Sequence, residues 1–284
     1  MKTTLLICIC AGLILTAGNH ASTAAPLTES TFTEIIREAN TLNPVGNATA
    51  AQLNGVLKSP DRVRTGPESR AELTAADNTL TRVGANTVFS FADSGRTLNL
   101  ESGSLLFHSP KGNGGGTIKS GGASAAVLGT TLIASATADG GFKVIMLEGI
   151  GTVTLPNGKS VKLKAGQMVF ITPGGTEFSS VMNINLQKLV AGSLLVNGFH
   201  RPLPSAPLIE DAVRKQNSLI ATGGARDTGK PVESGLAAVD HGSYATAAPP
   251  PMTPAQYNAL AAGNSQNFGT GGRNITTFVP SFKP

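Results

Sequence analysis

The chain of 284 residues contains no tryptophan, 2 tyrosines and 2 cysteines, and only 14% of its residues are charged. Ordinary globular domains carry about a quarter charged residues. So low a charge content argues against a long solvated helix, a coiled coil or an acidic disordered chain. The formal net charge of +5 comes from basic residues that are scattered along the sequence. A nucleic acid surface normally needs a clustered basic patch, so no nucleic acid partner is expected.

The N-terminus has the layout of a secretory signal peptide. Lys2 precedes an apolar run, Leu5–Leu15, and small and polar residues follow. That order is typical of a cleaved leader, which predicts a signal peptide over residues 1–24 with cleavage before Ala25. The run is shorter than the roughly 20 residues of a membrane span. A retained anchor is the alternative, and no stable membrane span is expected after cleavage.

Both cysteines, Cys8 and Cys10, lie inside this leader. Ile7 and Ile9 precede them, where a lipoprotein signal would need a small residue. Lipidation is therefore not expected. The mature chain would contain no cysteine, and hence no disulfide and no thiolate metal ligand.

Composition divides the rest of the chain into three segments. Residues 25–200 form the predicted folded domain, which is long enough to bury a core without disulfides. Residues 201–221 are a predicted docking segment with a short helix, because apolar residues recur there at helical spacing, namely Leu208, Ile209, Ala212 and Val213. Residues 222–284 are of low complexity and have few large apolar side chains, which predicts a largely disordered tail.

Short alternating segments dominate the middle of the chain. Gly151–Leu155 and Ser160–Lys164 alternate polar and apolar residues, and Asn157-Gly158 between them is a strong hairpin signal. Further strands are predicted at Thr87–Phe91, Ser104–Phe107, Val127–Ala134, Phe142–Leu147 and Gln167–Ile171. The segment Phe32–Leu42 fits either a strand or a weak helix. Many short strands separated by turns indicate an all-β sandwich or a solenoid-like β fold.

No residue pattern points to catalysis or to a metal. His108, His200 and His241 have no metal-ligand spacing, and a lone His108 after an apolar strand is typical of a strand end. No Gly-x-Ser-x-Gly motif occurs. The sequence therefore predicts neither a catalytic residue nor a metal site.

Two glycine-rich segments resemble phosphate-binding loops only superficially. Gly112–Gly116 lacks the Gly-x-Gly-x-x-Gly pattern of dinucleotide-binding loops, and no helix is expected after it, so a β-turn is predicted. Gly224–Lys230 matches the first seven positions of a P-loop, but Pro231 stands where a Ser or Thr would hold Mg²⁺. No cofactor is therefore expected.

Five short elements, in order along the chain, resemble the FecR family, which is named after the bacterial iron-citrate signalling regulator. They are Val63-Arg64-Thr65-Gly66 with Ser69-Arg70-Ala71-Glu72-Leu73, then Leu100–Leu105, Val127-Leu128-Gly129-Thr130, Leu147-Glu148-Gly149, and Leu163-Lys164-Ala165-Gly166-Gln167. The resemblance extends over residues 60–175. It implies a twisted antiparallel two-sheet, β-solenoid-like sandwich that binds partners rather than catalysing a reaction.

The resemblance assigns a structural role to nine motif residues: Thr65, Gly66, Gly103, Gly129, Thr130, Glu148, Gly149, Gly166 and Gln167. The glycines would provide turns or close approach between chain segments. The Thr130 hydroxyl would bond a neighbouring backbone group. Glu148 is expected to accept amide bonds in a turn, and a role as a ligand contact is the alternative.

The founding regulators have a cytoplasmic anti-sigma segment and a transmembrane helix before the exported domain, whereas only four residues precede the apolar run here. We therefore expect a stand-alone version, exported to the periplasm or beyond, that binds a protein or glycan of the bacterial cell envelope. A role in cell-surface signalling fits this expectation. The alternatives are a surface-assembly protein pairing through strand edges and, less favoured, a small-ligand-binding or hydrolytic β domain.

Overall fold

The computed structural model of the protein describes residues 24–231 and 276–280. The signal peptide predicted at residues 1–24 lies outside the described residues apart from Ala24. Most of the tail predicted at residues 222–284 lies outside them as well. Among the described residues, no helix combines the length and the apolar character needed to cross a membrane.

The described part of the chain is built mainly of short strands. In chain order its elements are β1 (Glu29–Ile36), β2 (Ala39–Leu42), β3 (Ala48–Ala50), β4 (Val56–Lys58), β5 (Arg62–Thr65), β6 (Arg70–Thr74), β7 (Leu80–Val83), β8 (Val88–Phe91), β9 (Thr97–His108), β10 (Gly116–Ser120), β11 (Ala123–Val127), β12 (Thr131–Ala136), β13 (Phe142–Glu148), β14 (Ile150–Thr154), β15 (Ser160–Lys164), β16 (Gln167–Ile171), β17 (Met182–Asn183), α1 (Leu186–Gly192), α2 (Leu194–Asn197), α3 (Ala206–Ala221), β18 (Ala225–Pro231) and β19 (Thr276–Pro280).

The strands form two stacked sheets that share β9. Sheet A has the order β4-β1-β6-β7-β9-β12-β13-β16-β17. Sheet B has the order β3-β2-β5-β8-β9-β10-β11-β14-β15. The first half of β9 pairs within sheet B and its second half within sheet A, so the long strand joins the two layers.

The main core lies between the two sheets. Residues of alternating polarity form these strands because a period of two places apolar side chains on one face and polar side chains on the other. In sheet B the inward side chains are fully or almost fully buried, as in Val63, Phe89, Leu98, Ile118, Val153 and Leu163. The opposite face of sheet B carries most of the polar members of its strands, together with a few apolar residues, Val88, Ala126 and Ile150.

A third layer of helices covers the outer face of sheet A. Leu106, Ile133 and Ile145 on that face pack with Leu189 and Leu195 of α1 and α2, and Ile209 of α3 joins the same cluster. Because β12 and β13 are thereby buried on both faces, their sequences are nearly continuous apolar runs. The protein thus has three layers, and sheet B is an outer one.

The all-β two-sheet fold is confirmed, with two differences of detail. The pairing of β9 with β10 is parallel, whereas the other pairings within the two sheets are antiparallel. The predicted strand Val127–Ala134 is divided, because β11 ends at Val127 and Gly129, at φ +67°, turns the chain from sheet B into sheet A before β12. The ambiguous segment Phe32–Leu42 is the strand pair β1 and β2.

The structure also differs from the prediction at the start of the tail. Residues 225–231 form β18, which pairs with β19, and the Asp227 carboxylate accepts a hydrogen bond from the Asn185 side chain at 2.9 Å. Composition predicts disorder for this segment because it has few large apolar side chains. Its pairing strand lies more than forty residues away in the sequence, so no local hairpin pattern indicates the strand. The P-loop-like segment Gly224–Lys230 is therefore mostly strand, and it follows α3 rather than preceding a helix. The helix predicted in residues 201–221 is α3, which has 16 residues.

Candidate functional site

The family-motif residues lie at two seams where the chain passes from one sheet to the other. The first seam contains residues 37–38, 65–69 and 84–87 together with Gly103, and the second contains residues 128–130, 148–149 and 165–167. The strand registers place these seams on opposite sides of the sandwich, because Gly103 and the last residue of β9 pair with opposite ends of β12. The motifs therefore mark sheet-to-sheet crossings rather than one surface site.

Thr65, Gly66 and Gly103 belong to the first seam. The Thr65 hydroxyl accepts a hydrogen bond from the backbone N–H of Thr87 at 3.0 Å, and the Gly66 N–H donates to the Glu38 carbonyl at 3.1 Å. Gly103 has φ +87° inside β9, where a Cβ atom would lie 2.5 Å from the Thr87 Cα atom. The glycine thus allows β9 to change sheets without a break in the strand.

The second seam holds the other motif residues, namely Gly129, Thr130, Glu148, Gly149, Gly166 and Gln167. The Gly166 N–H donates to the Met146 carbonyl at 2.9 Å, and the Gln167 side chain accepts from the Lys164 N–H at 2.9 Å. A Cβ atom at Gly149 would come within 2.4 Å of the Thr130 side chain. The expected bond from the Thr130 hydroxyl is not made, since this buried group has no hydrogen-bond partner among the described residues.

Four polar side chains meet in a buried network at the second seam. Thr131 Oγ1 lies 3.0 Å from His108 Nδ1, 2.9 Å from Glu148 Oε1 and 2.8 Å from Ser205 Oγ. A hydroxyl has one proton and two lone pairs. When Glu148 is ionised, Thr131 donates to it, and His108 and Ser205 must both donate to Thr131. Sequence spacing gave no sign of this network, because its members come from β9, β12, β13 and the start of the helical layer.

The network is suited to joining layers rather than to reacting with a ligand. His108, Glu148, Thr131 and Ser205 are each at most 6% exposed. Burial lowers the pKa of His108, and burial raises the pKa of Glu148 despite its hydrogen bonds from Thr131. Glu148 is therefore bonded mainly to a neighbouring hydroxyl inside the protein, and no surface-exposed carboxylate is left there to contact a ligand.

A buried ion pair anchors the helical layer to sheet A. Arg82 and Glu72 are 0% and 3% exposed at their side chains and lie 2.9 Å apart. The Arg82 guanidinium also donates to the carbonyls of Leu195 and Val196, and it lies 4.4 Å above the Phe199 ring. Burial lowers the pKa of Arg82, while the contact with Glu72 opposes that shift. No motif identified this anchor, although Glu72 stands within the Ser69–Leu73 element.

The outer face of sheet B, here called the open face, carries small polar and basic side chains. Its outward residues include Arg62, Arg64, Ser90, Asn99, Glu101, Thr117, Lys119, Ser124, Ala126, Thr152, Thr154, Lys162 and Lys164. None of these is aromatic. Their partial or full exposure shows that no described element packs over them.

The open face is positively charged. It bears five cationic side chains, Arg62, Arg64, Lys119, Lys162 and Lys164, and the carboxylate of Glu101, which lies 3.3 Å from Arg62. The other four cations form no ion pair with a described residue. These residues come from strands spread between Arg62 and Lys164, which is why the basic residues are scattered in the sequence although the sheet brings them onto one face.

A cleft of about 600 Å³ opens at one end of the open face. It lies where β9 leaves β10 to cross into sheet A, so the backbone of residues 100–102 has no partner strand on that side. Asn99, Lys119 and Ser124 lie side by side on neighbouring strands and line the cleft together with Thr137. The cleft and the open face thus share polar side chains.

Among the described residues, no group of three or more histidine, cysteine, aspartate or glutamate side chains is placed to hold a metal ion. The polar clusters at the second seam and around Arg82 are buried. The open face and its cleft are consequently the described surface best suited to binding.

Comparisons with known proteins identify one domain. Residues 61–150 match the family model described as "FecR protein". Two crystal structures of a proposed anti-sigma factor from Parabacteroides distasonis ATCC 8503, at 1.65 and 2.50 Å resolution, are similar over 46% of this chain, at 19% and 20% identity and TM-scores of 0.41 and 0.40. The matches cover 63% and 62% of those chains, which is less than two thirds of their length. No curated protein matches the chain.

The family model and the motifs agree on the same part of the chain. Four of the five motif elements fall within the matched residues, and the fifth, Leu163–Gln167, follows them. The resemblance that the sequence indicated is therefore confirmed, and residues 61–150 contain a FecR domain.

Proposed function

We propose that the protein is an exported, non-enzymatic component of the bacterial cell envelope, whose FecR domain binds a protein or glycan partner through the open face. The FecR domain supports a role in cell-surface signalling. The observation that carries the proposal is the difference between the two sides of the sandwich. Helices seal the outer face of sheet A, whereas sheet B presents a polar, basic surface with a cleft at one end.

A non-enzymatic role is supported by where the reactive groups lie. The buried His108 and Glu148 side chains both contact the Thr131 hydroxyl rather than each other, and the exposed His200 is paired with the Glu34 carboxylate at 2.8 Å. The open face holds amide, hydroxyl and ammonium groups, which recognise ligands by hydrogen bonds and charge. A surface of this composition favours binding over bond cleavage.

Site-specific photo-crosslinking tests the proposed face. A photoreactive residue at Ser124, beside Lys119 on the open face, should give a defined crosslinked product in the native envelope. The same residue at Ser218, exposed on α3, is the matched control and should give none. Crosslinks from Ser218 with none from Ser124 would move the binding surface to the helical layer and contradict the proposal.

Export is proposed from the leader at residues 1–24. N-terminal sequencing of the protein purified from an envelope fraction should give Ala25 as the first residue. An intact Met1 on cytoplasmic protein would contradict export and leave the fold unaffected.

Assembly through strand edges is a second candidate function, favoured by one end of the sandwich. The edge strand β3 of sheet B is fully exposed, and exposed apolar residues lie in the turns on either side of it, at Val45 and Leu53, and on β4, the edge strand of sheet A, at Val56. Unpaired edges are templates for strand addition. A protein that remained monomeric at high concentration in a sedimentation experiment would eliminate this candidate, whereas concentration-dependent oligomers abolished by Val56→Lys would support it.

A further inference from the structure

We infer that the ligand of the open face is an acidic polysaccharide. This inference rests on the proposed function, since it names the class of partner for the same surface. It is based on the arrangement of the cations, the side chains between them and the absence of aromatic residues from the outward set.

The cations of the open face stand in three evenly separated strands. Arg62 and Arg64 belong to β5, Lys119 to β10, and Lys162 and Lys164 to β15. The order β5-β8-β9-β10-β11-β14-β15 places three strand spacings between successive cationic strands, which is about 14 Å for each interval. The strand registers place Arg64, Lys119 and Lys162 in three successive rows of paired residues, so a linear polymer crossing the strands obliquely would meet a positive charge at regular intervals.

The intervals between the cations are filled by short polar side chains. One row of directly paired residues runs from Ser90 through Asn99, Lys119 and Ser124 to Thr154. Hydroxyl and amide groups donate and accept hydrogen bonds, and sugar hydroxyl groups are partners of the same kind. A row of this composition suits a ligand that alternates hydroxyl groups with negative charges.

The composition of the face also argues against other ligands. Single-stranded nucleic acids bind through aromatic stacking platforms together with basic grooves, and none of the outward residues of the open face is aromatic. Stable protein interfaces are anchored by buried aromatic residues and arginines, whereas the open face has no aromatic residue in its outward set and its two arginines are confined to β5. Charge and hydroxyl bonding are the means of recognition that remain, and they require the glycan to be acidic.

The cleft provides a site for one sugar unit of the polymer. Lys119 has no ion-pair partner among the described residues and lines the cleft beside Asn99 and Ser124. Glu101 also lines it, but its carboxylate lies 3.3 Å from Arg62 and is thereby compensated. A sugar carboxylate near Lys119 would therefore meet a net positive site with hydroxyl partners on both sides.

Binding of polygalacturonate, a polymer of uronic acid, tests the inference on the full mature chain. The triple variant Lys119→Gln, Lys162→Gln, Lys164→Gln should bind about tenfold or more weakly than the parent protein, because each exposed charge contact contributes up to about 1 kcal/mol. The parent's affinity should fall steeply between about 50 mM and about 200 mM salt, as polyanion binding does. The control variant Lys58→Gln, Arg214→Gln, Lys215→Gln loses the same charge away from the open face and should bind within about twofold of the parent.

Several results would overturn the inference. These are equal binding by the two triple variants, equal binding of the neutral polymer pullulan, and tighter binding of a single-stranded DNA oligomer than of polygalacturonate. Absence of polygalacturonate binding would also overturn it. If Ser124 nonetheless crosslinks to a partner in the envelope, the proposed function survives and only the acidic glycan is rejected. If neither binding nor crosslinking occurs, both proposals fail.

Discussion

At the scale of single residues, the FecR motif residues lie where the chain crosses from one sheet to the other. Gly103 shows this most clearly, because β9 passes from sheet B to sheet A at this residue with a positive φ and close contact with Thr87. A side chain there meets two separate obstacles, a left-handed backbone and a neighbouring backbone atom.

Comparison of two glycine variants separates these obstacles. Gly103 and Gly158 have φ values of +87° and +84°, but a Cβ atom at Gly158 would meet nothing within 4 Å. Gly158→Ala should cost about 1–2 kcal/mol from the backbone conformation alone. Gly103→Ala should cost about 1–3 kcal/mol more from overpacking against Thr87. Urea unfolding measures both, and equal losses would contradict the close-approach role.

The buried histidine predicts a pH dependence of stability. Burial lowers the pKa of His108 below its ordinary value of 6.5. As the pH falls through 6.5, the unfolded chain therefore takes up the proton first, and the free energy of unfolding decreases until the folded histidine also titrates. Glu148 acts in the opposite sense, because its raised pKa reduces stability as the pH rises from 4.5 through the folded-state pKa.

The variant His108→Asn isolates the contribution of the histidine, since its amide can still donate to Thr131. As the pH rises from about 5 to about 7, the free energy of unfolding of the parent protein should increase relative to that of the variant. The slope should be at most about 1.4 kcal/mol per pH unit. Urea unfolding at several pH values measures the difference. A constant difference across that range would show that His108 does not titrate differently in the folded state.

At the scale of elements, a few buried polar contacts fix the helical layer to sheet A. Arg82, on β7, reaches the carbonyl groups at the end of α2 and in the segment that follows it. The helices α1 and α2 are short and have no acidic residue in their first turns. Their stability therefore depends on packing against the sheet rather than on helix propensity.

Removal of the Arg82 guanidinium should uncouple this layer. Arg82→Met leaves the Glu72 carboxylate buried without its main cation, which should reduce the free energy of unfolding by about 3–5 kcal/mol. Arg214→Met is the matched control, because Arg214 forms an exposed pair with Asp211 and should change stability by less than about 1 kcal/mol. Similar losses in the two variants, measured by denaturant unfolding, would show that Arg82 does not anchor the layer.

Sequence patterns predicted the strands, turns and helices that can be recognised from residues close together in the sequence. The hairpin at Asn157-Gly158 was recognisable because turn chemistry and alternation coincide there, and α3 was recognisable from its apolar spacing. The strand β18 was missed because its partner β19 is distant in sequence. The segment Val127–Ala134 was predicted as one strand because the β-forming residues on both sides of Gly129 hid the crossing.

The candidate site was less predictable than the fold. The sequence associated the glycines with turns or close approach, but it did not indicate the buried network around Thr131, which joins residues from four parts of the chain. The cations of the open face likewise come from separate parts of the chain, on β5, β10 and β15. Such groupings depend on strand order, which no single segment of sequence encodes.

At the scale of the whole molecule, the three layers give the protein one sealed side and one accessible side. The helical layer buries the apolar outer face of sheet A. Among the described residues sheet B has no such cover, and its outward side chains are mostly polar, while its large buried apolar side chains face the core. This asymmetry is the basis of our proposal that a partner binds to sheet B.

Lysine reactivity in the native envelope tests this central claim most directly. Acylation of the envelope and of the purified protein, followed by mass spectrometry, compares each lysine with and without its natural partner. Lys119, Lys162 and Lys164 should react more slowly in the envelope, while Lys58 and Lys215, which lie away from the open face, should react equally in both. Unchanged reactivity of the three open-face lysines, or protection of Lys215 instead, would contradict the account.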